Sequence, residues 1–227
     1  MKNLAVIPAR SGSKGLKDKN IKLLNGKPLL AYSVEAAVQS QLFEEVMVST
    51  DSAYYADIAR SYGAEVPFLR SKVNSSDSAG SWDMVQEVLD FYDCAGTRFD
   101  SFCLLQPTSP LRTNDDIKRA YDIYISRKAA AVVSVCKADH SPLWCGHLGE
   151  KDSLNGFIEE SNAKRRQADA PFYRINGAIY IVGVDEFEKD RFTYREGSYA
   201  YVMSREKSVD IDDIYDFEFA EFLLRNR

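Results

Sequence analysis

Residues 4–7, Leu4-Ala5-Val6-Ile7, form an unbroken apolar run that stops at Pro8 and opens into a loop rich in Gly, Ser and Lys. A half-buried strand alternates apolar with polar residues. A strand apolar at every position is covered on both faces, as in a parallel sheet wrapped by helices. The run therefore predicts the first strand of an α/β fold with a functional loop at its C-terminal end.

The rest of the chain repeats this punctuation. Helical patterns over 28–39, 53–62 and around Trp82, Val85, Leu89 and Tyr92 alternate with strand-like runs at 46–48, 65–69 and 102–105. Gly63 reads as a helix stop. Thr113 and Asp116 form a capping-box pattern that opens a helix through Tyr124, and 130–135 is a further strand. A strand returns at 178–182, 208–212 reads as a short alternating strand, and a helix closes the chain over 213–224. This order predicts a Rossmann-like, three-layer α/β fold with a mostly parallel sheet. One domain spans 1–227, and the weakly periodic stretch 137–173 reads as an excursion from the sheet.

Bulk properties narrow the function. A net charge of -5 without a long basic run argues against a nucleic-acid groove. No stretch approaches the roughly 20 apolar residues of a membrane helix. None of the four cysteines forms a Cys-x-x-Cys pair, which suits a reducing cytoplasm. Cys136, His140, Cys145 and His147 carry zinc-binding chemistry, but their spacing matches no standard finger.

The loop 9–20 holds Arg10, Gly12, Lys14, Gly15 and Lys19. Small residues let backbone N–H groups approach an anion, and the cations neutralise it, as a triphosphate requires. The alternative is a solvated loop with incidental lysines. The glycines fit neither a Walker A loop nor Gly-x-Gly-x-x-Gly. Asp210 and Asp212 lie two apart, so a strand would put both carboxylates on one face, where they suit Mg²⁺ shared with substrate phosphates. Capping of the following helix is the competing role, and Asp213 reads as a helix-start carboxylate.

The run from Ile7 to Leu16, continuing through Lys19-Asn20, resembles the signature of the acylneuraminate cytidylyltransferases. So do Val48-Ser49-Thr50-Asp51, Leu105-Gln106-Pro107-Thr108-Ser109-Pro110-Leu111-Arg112, Asn176-Gly177-Ala178-Ile179-Tyr180-Ile181 and Ser208-Val209-Asp210-Ile211-Asp212, in the same order. The resemblance implies transfer of CMP from CTP to the anomeric hydroxyl of a nonulosonic (sialic-type) acid by a Mg²⁺-dependent homodimer. It implies that Arg10 and Lys14 hold the triphosphate and that Lys19 supports charge at the α-phosphate. Asn20, Arg70 and Ser81 match positions that contact cytidine, although Ser81 also fits a helix start and Arg70 a surface strand end. Gln106, Arg166, Arg174 and Tyr180 match the sugar side. Arg166 lies in a charge run that also suits a solvated or interface patch, and Tyr180 equally suits the core. The excursion 137–173 would serve dimerisation, and Phe192 and Tyr194 fall where the family places partner-facing aromatics. Thr193 departs from an aromatic in better-known members, which bears on the N-acyl preference. CMP-legionaminate and CMP-pseudaminate synthetases share the same motifs. The Asn176-Gly177-Ala178 stretch and the Arg166 region look less like CMP-Kdo synthetases. A non-catalytic CTP-binding regulator is the reading from another class, and the joint presence of Lys19, Asp210 and Asp212 argues against it.

Overall fold

The computed structural model describes residues 1–12, 15–76, 78–158 and 171–226. Among them, six strands form one sheet in the order β4-β1-β5-β7-β6-β8. These are β1 (Asn3–Pro8), β4 (Glu45–Ser49), β5 (Ser101–Leu104), β6 (Ala131–Lys137), β7 (Tyr173–Gly183) and β8 (Ser198–Met203). Two further strands, β2 (Leu23–Leu24) and β3 (Lys27–Pro28), make a small separate hairpin. β1 runs parallel to β4 and β5, and β6 runs parallel to β8, whereas β7 is antiparallel to both its neighbours. The expected mostly parallel sheet therefore holds, with β7 as the exception.

The apolar run at the N-terminus behaves as its composition requires. Leu4, Ala5, Val6 and Ile7 are all fully buried. Ala5 and Ile7 join one core cluster with Leu30 and Val34 of α1 (Leu29–Ser40) and Ile117 and Tyr121 of α4 (Asn114–Ser126). Leu4 and Val6 join the opposite cluster with Met84, Val85 and Val88 of α3 (Ser81–Cys94) and Phe187 of α5 (Val184–Lys189). Each large aliphatic side chain removed from water is worth about 1.5–3 kcal/mol, so both helical layers are held to the sheet from one strand. Between β4 and α3 lies α2 (Ala53–Ser61), started by the Ser52 side chain and followed by Gly63 at φ +94°.

Three expectations need correction. The strand over 65–69 is reduced to one parallel bridge between Glu65 and Met47. Pro67 follows at once and removes the donor that a longer ladder would need. Residues 208–212 form no strand. The Ile211 N–H donates to the Thr108 carbonyl at 2.8 Å. Alternation arises there because Val209 and Ile211 fill a third cluster with Leu24, Leu111 and Phe217 of α6 (Ile214–Arg225), not because of sheet pairing. Finally, β7 begins well before Ala178, and β8 supplies the sheet edge that the sequence did not announce.

Lys137 ends β6 directly opposite Tyr173, the first residue of β7. The excursion therefore leaves and re-enters the sheet at one point. Its described residues between the two strands, 138–158 and 171–172, carry two short turns of 3-10 helix and no strand. No helix among the described residues is long and apolar enough to cross a membrane.

Candidate active site

β1 and β5 end side by side, and their following loops open a cleft of about 510 Å³. Arg10, Lys19, Asn20, Arg70, Ser81, Gln106, Asp210 and Asp212 all line it, together with Gly15, Asn74, Ser76 and Thr108. Eight of the predicted site residues are thus brought together from distant parts of the chain. Lys14 and Arg166 lie outside the described residues.

Backbone and side-chain bonds close the N-terminal loop on itself. Asn20 is buried in a 3-10 turn, and its amide donates to the Arg10 carbonyl at 3.0 Å. Lys19 is reached through the same turn. Its Nζ donates to the Ile211 carbonyl at 2.5 Å and stands 3.5 Å from an Asp212 carboxylate oxygen. The ammonium is thereby aimed across the cleft by groups of the C-terminal segment.

Arg70 is buried and does not sit at a surface strand end. Its Nε donates to Ser49 Oγ at 2.9 Å and its Nη2 to the Ser49 carbonyl at 2.5 Å. Burial pulls the guanidinium down to about 10, against the attraction of Asp51 and Glu87, so it remains a cation at neutral pH. Ser81 opens α3, with Gly80 at the N-cap position. It presents the positive end of that helix to the cleft, as an anion or a polar base edge would use it.

Gln106 and Asp210 are arranged around Gly177. This glycine has φ +75°, and a Cβ there would come within 2.8 Å of Gln106 Oε1 and 3.5 Å of Asp210 Oδ2. A buried network fixes the region from behind. Asn176 Nδ2 donates to Ser208 Oγ at 2.8 Å, and Ser134 Oγ donates to Asn176 Oδ1 at 2.6 Å. The segment leading to Asp210 is thus tied to β7 and β6, though it belongs to no sheet.

Asp210 is mostly buried, and its Oδ1 has no hydrogen-bond partner. Burial, followed by repulsion from Asp212, raises its carboxyl above the ordinary range. A hydrogen bond from Thr108 and the charges of Lys19 and Arg174 oppose the rise. Asp212 is largely exposed. One orphaned carboxylate oxygen beside a second, open carboxylate is an all-oxygen donor set that fits Mg²⁺, with remaining positions left to phosphate and water. Among the described residues no third acidic, His or Cys side chain joins them in a metal-binding group.

Arg174 donates to the Ser208 carbonyl at 3.2 Å, and its charge acts on Asp210 without lining the cleft. Tyr180 packs edge-on against Trp82, ring centroids 6.0 Å apart, and burial raises its hydroxyl to about 12. Tyr194 and Asp210 also act on it, so it stands between the aromatic core and the site. Thr108, within Gln106-Pro107-Thr108-Ser109-Pro110, carries no signal of its role in the sequence, because only the fold turns it toward Asp210.

Fold and cleft together define a Rossmann-like α/β protein with a polar cleft at the ends of its central strands. The sequence places it further: the chain belongs to the cytidylyltransferase family, whose pattern matches residues 4–223. It is 41% identical over 220 residues to an N-acylneuraminate cytidylyltransferase of Escherichia coli O18:K1:H7, covering 96% of this chain and 51% of that protein. The chain thus spans about half the length of that relative. A CMP-N,N'-diacetyllegionaminic acid synthase of Legionella pneumophila is 38% identical, and a pseudaminic acid cytidylyltransferase of Campylobacter jejuni 34%. Each of these covers 99% of this chain and is itself covered over 97%. Among solved structures, a CMP:2-keto-3-deoxy-manno-octonic acid synthetase complexed with CTP superposes with a TM-score of 0.73 at 16% identity. The match covers 100% of this chain and 99% of that one. At that identity the likeness establishes the fold.

Proposed function

We propose that this protein transfers CMP from CTP to the anomeric hydroxyl of a nonulosonic acid, releasing pyrophosphate, with N-acetylneuraminate as the acceptor. The observation that carries the reading is the gathering of Arg10, Lys19, Arg70, Ser81, Gln106, Asp210 and Asp212 around one cleft. The 41% identity to the E. coli enzyme supports the choice of acceptor. Legionaminate and pseudaminate are the alternative acceptors, supported by relatives matched over nearly their whole length.

The chemistry follows from what each residue presents. Arg10 and Lys19 neutralise the triphosphate and stabilise charge that builds on the transferring and leaving phosphates, where fixed cations in a shielded cleft are most effective. Lys14 belongs to the same loop and the same role. Arg70, Ser81 and Asn20 hold the cytidine, and Gln106 orients the sugar, with Arg174 and Arg166 on its carboxylate side. Lys19 is preorganised by the Ile211 carbonyl, so little reorganisation accompanies the reaction. No protein nucleophile is needed. Asp210 and Asp212 would hold Mg²⁺, which would supply Lewis-acid polarisation of phosphate oxygens and a template for the substrates.

The same reading makes the protein a cytoplasmic homodimer, assembled through the excursion 137–173. Free Cys94, Cys103, Cys136 and Cys145 suit a reducing compartment. Ile175, Val135 and Val202 stand side by side across three strands, and Ile175 and Val202 are about half exposed, which supports a partner on that face.

The test is pyrophosphate release with CTP, Mg²⁺ and N-acetylneuraminate, legionaminate, pseudaminate or Kdo in turn. Release with N-acetylneuraminate supports the proposal. Release only with another of these sugars moves the acceptor. CTP binding without release from any sugar overturns the catalytic reading.

A further inference from the structure

The stretch Val48-Ser49-Thr50-Asp51 carries part of the sequence resemblance, yet none of its residues lines the cleft. What it touches explains its place. Ser49 and Thr50 are fully buried at the end of β4, so the corner they form is fixed by the core. The Ser49 carbonyl serves two walls at once: it accepts the Ala9 N–H at 2.9 Å and Arg70 Nη2 at 2.5 Å. The Arg70 N–H donates to the Thr50 carbonyl at 2.8 Å, which fixes that residue's main chain as well.

Asp51 holds the other wall. One carboxylate oxygen accepts the Ser11 N–H at 2.7 Å and the other accepts Ser11 Oγ at 2.8 Å. Burial would raise this carboxyl, but the two Ser11 bonds and the charge of Arg70 bring it below the ordinary range, so it is an anion at neutral pH. One turn into α2, the Tyr55 hydroxyl donates to Asp18 at 3.0 Å, where Asp18 adopts φ +52°. The nucleotide loop is therefore held near both its ends by the β4–α2 corner, and Arg70 is held by the same corner.

We propose that Ser49 and Asp51 are positioning residues: they set the spacing between the N-terminal loop and Arg70, and through it the affinity for a nucleoside triphosphate. The inference rests on the reading of the cleft as a CTP site. It assigns no contact with substrate to either residue.

The experiment uses the intact protein. Asp51→Ala should raise the Kd and KM for CTP roughly tenfold or more, because two partly buried bonds to one loop residue are lost, while kcat changes far less. Asp51→Asn keeps one acceptor and should fall between. Ser11→Ala added to Asp51→Ala should cost less than about twofold further, since its partner is already gone. Hydrogen exchange without nucleotide should quicken at loop amides from Ser11 to Lys19 and not in β1 or β5. Wild-type CTP affinity in Asp51→Ala, or unchanged exchange in the loop, overturns the inference. Failure of the wild-type protein to bind CTP overturns the reading of the cleft instead, and the exchange measurement still decides whether Asp51 clamps the loop.

Discussion

Gly15 and Asp212 meet backbone to backbone: a Cβ on Gly15 would lie 2.5 Å from the Asp212 carbonyl oxygen. The N-terminal loop and the C-terminal carboxylate segment are thus in direct contact, and Lys19 reaches the adjacent Ile211 carbonyl across the same seam. The cationic and acidic halves of the site are placed by one close approach that only glycine permits.

Gly15→Ala should therefore separate the two halves. The obstructing atom is main chain, so no side-chain rotation relieves the clash. The expected cost is about 1–3 kcal/mol of stability, as for overpacking, with a larger loss in pyrophosphate release. Gly12→Ala is the control, because Gly12 has φ +72° but nothing within 4 Å of a built Cβ. It should cost about 1–2 kcal/mol from left-handed strain alone. Urea titration and steady-state rates on both variants check the distinction.

Asp210 and Asp212 should be dispensable for folding and indispensable for turnover. Asp210→Asn is nearly isosteric, and Asp212 is largely exposed. Removing either carboxylate takes away a ligand for the Mg²⁺ that would neutralise the phosphates, so kcat should fall by roughly 10²–10³-fold. CTP affinity measured without divalent metal should change little, and far-UV dichroism not at all. A near-normal rate for Asp212→Ala would sink the metal assignment.

Most of the fold was legible because its signals are local. The run at Leu4, the helix stop at Gly63 and the capping box at Thr113 each specify structure within a few residues. The capping box forms as expected, with the Thr113 N–H donating to Asp116 Oδ2 at 2.9 Å. The direction of β7 was not legible, because it depends on where a long connection re-enters the sheet. Nor was the state of 208–212, since Val209 and Ile211 alternate with the aspartates for a reason other than pairing. Within the site, cations and carboxylates in the quoted stretches were visible as chemistry. Thr108 and Asp51 were not, because each acts on another residue, and that relation exists only once the chain is folded.

Asp116 ties stability to pH. Its carboxylate is buried and accepts the Thr113 hydroxyl at 2.6 Å, Tyr201 OH at 2.9 Å and Lys207 Nζ at 2.9 Å. Burial would raise its pKa, but the bonds from Thr113, Lys207 and Tyr201 hold it below the ordinary 3.8. A carboxyl depressed in the folded state contributes stability above its unfolded value, and that contribution is lost as pH falls through the folded value. Asp116→Asn should cost about 1–3 kcal/mol at pH 7, because Lys207 is partly exposed and can turn to water. The gap from wild type should stay constant between pH 6 and 8, about two units across, and close only as the pH drops below 3.8. Thermal unfolding across that range measures it.

Arg112 is the buried cation on which the Gln106 side of the cleft leans. It is 3% exposed, and its donors go to neutral oxygens: the Ala178 carbonyl at 2.9 Å, the Gln106 carbonyl at 3.3 Å and Ser33 Oγ at 2.6 Å. Its Nε has no partner, and burial pulls the guanidinium down to about 10. One side chain thus joins α1, β7 and the loop that carries Gln106. Arg112→Met keeps much of the volume but leaves two carbonyls and a hydroxyl with fewer donors, at about 1–3 kcal/mol for each group left unsatisfied. Removing a buried charge offsets part of that, so a net loss of about 2 kcal/mol is expected. The specific consequence is at Gln106: its carbonyl keeps the Ser109 N–H at 3.2 Å and the Ser33 hydroxyl at 3.3 Å but loses the guanidinium, so KM for the acceptor sugar should rise severalfold while the Kd for CTP holds. Arg112→Lys should not restore it, because an ammonium cannot span the three oxygens that the planar fork reaches. Equal losses toward sugar and CTP would mean that Arg112 supports the whole sheet and not the strand end it contacts.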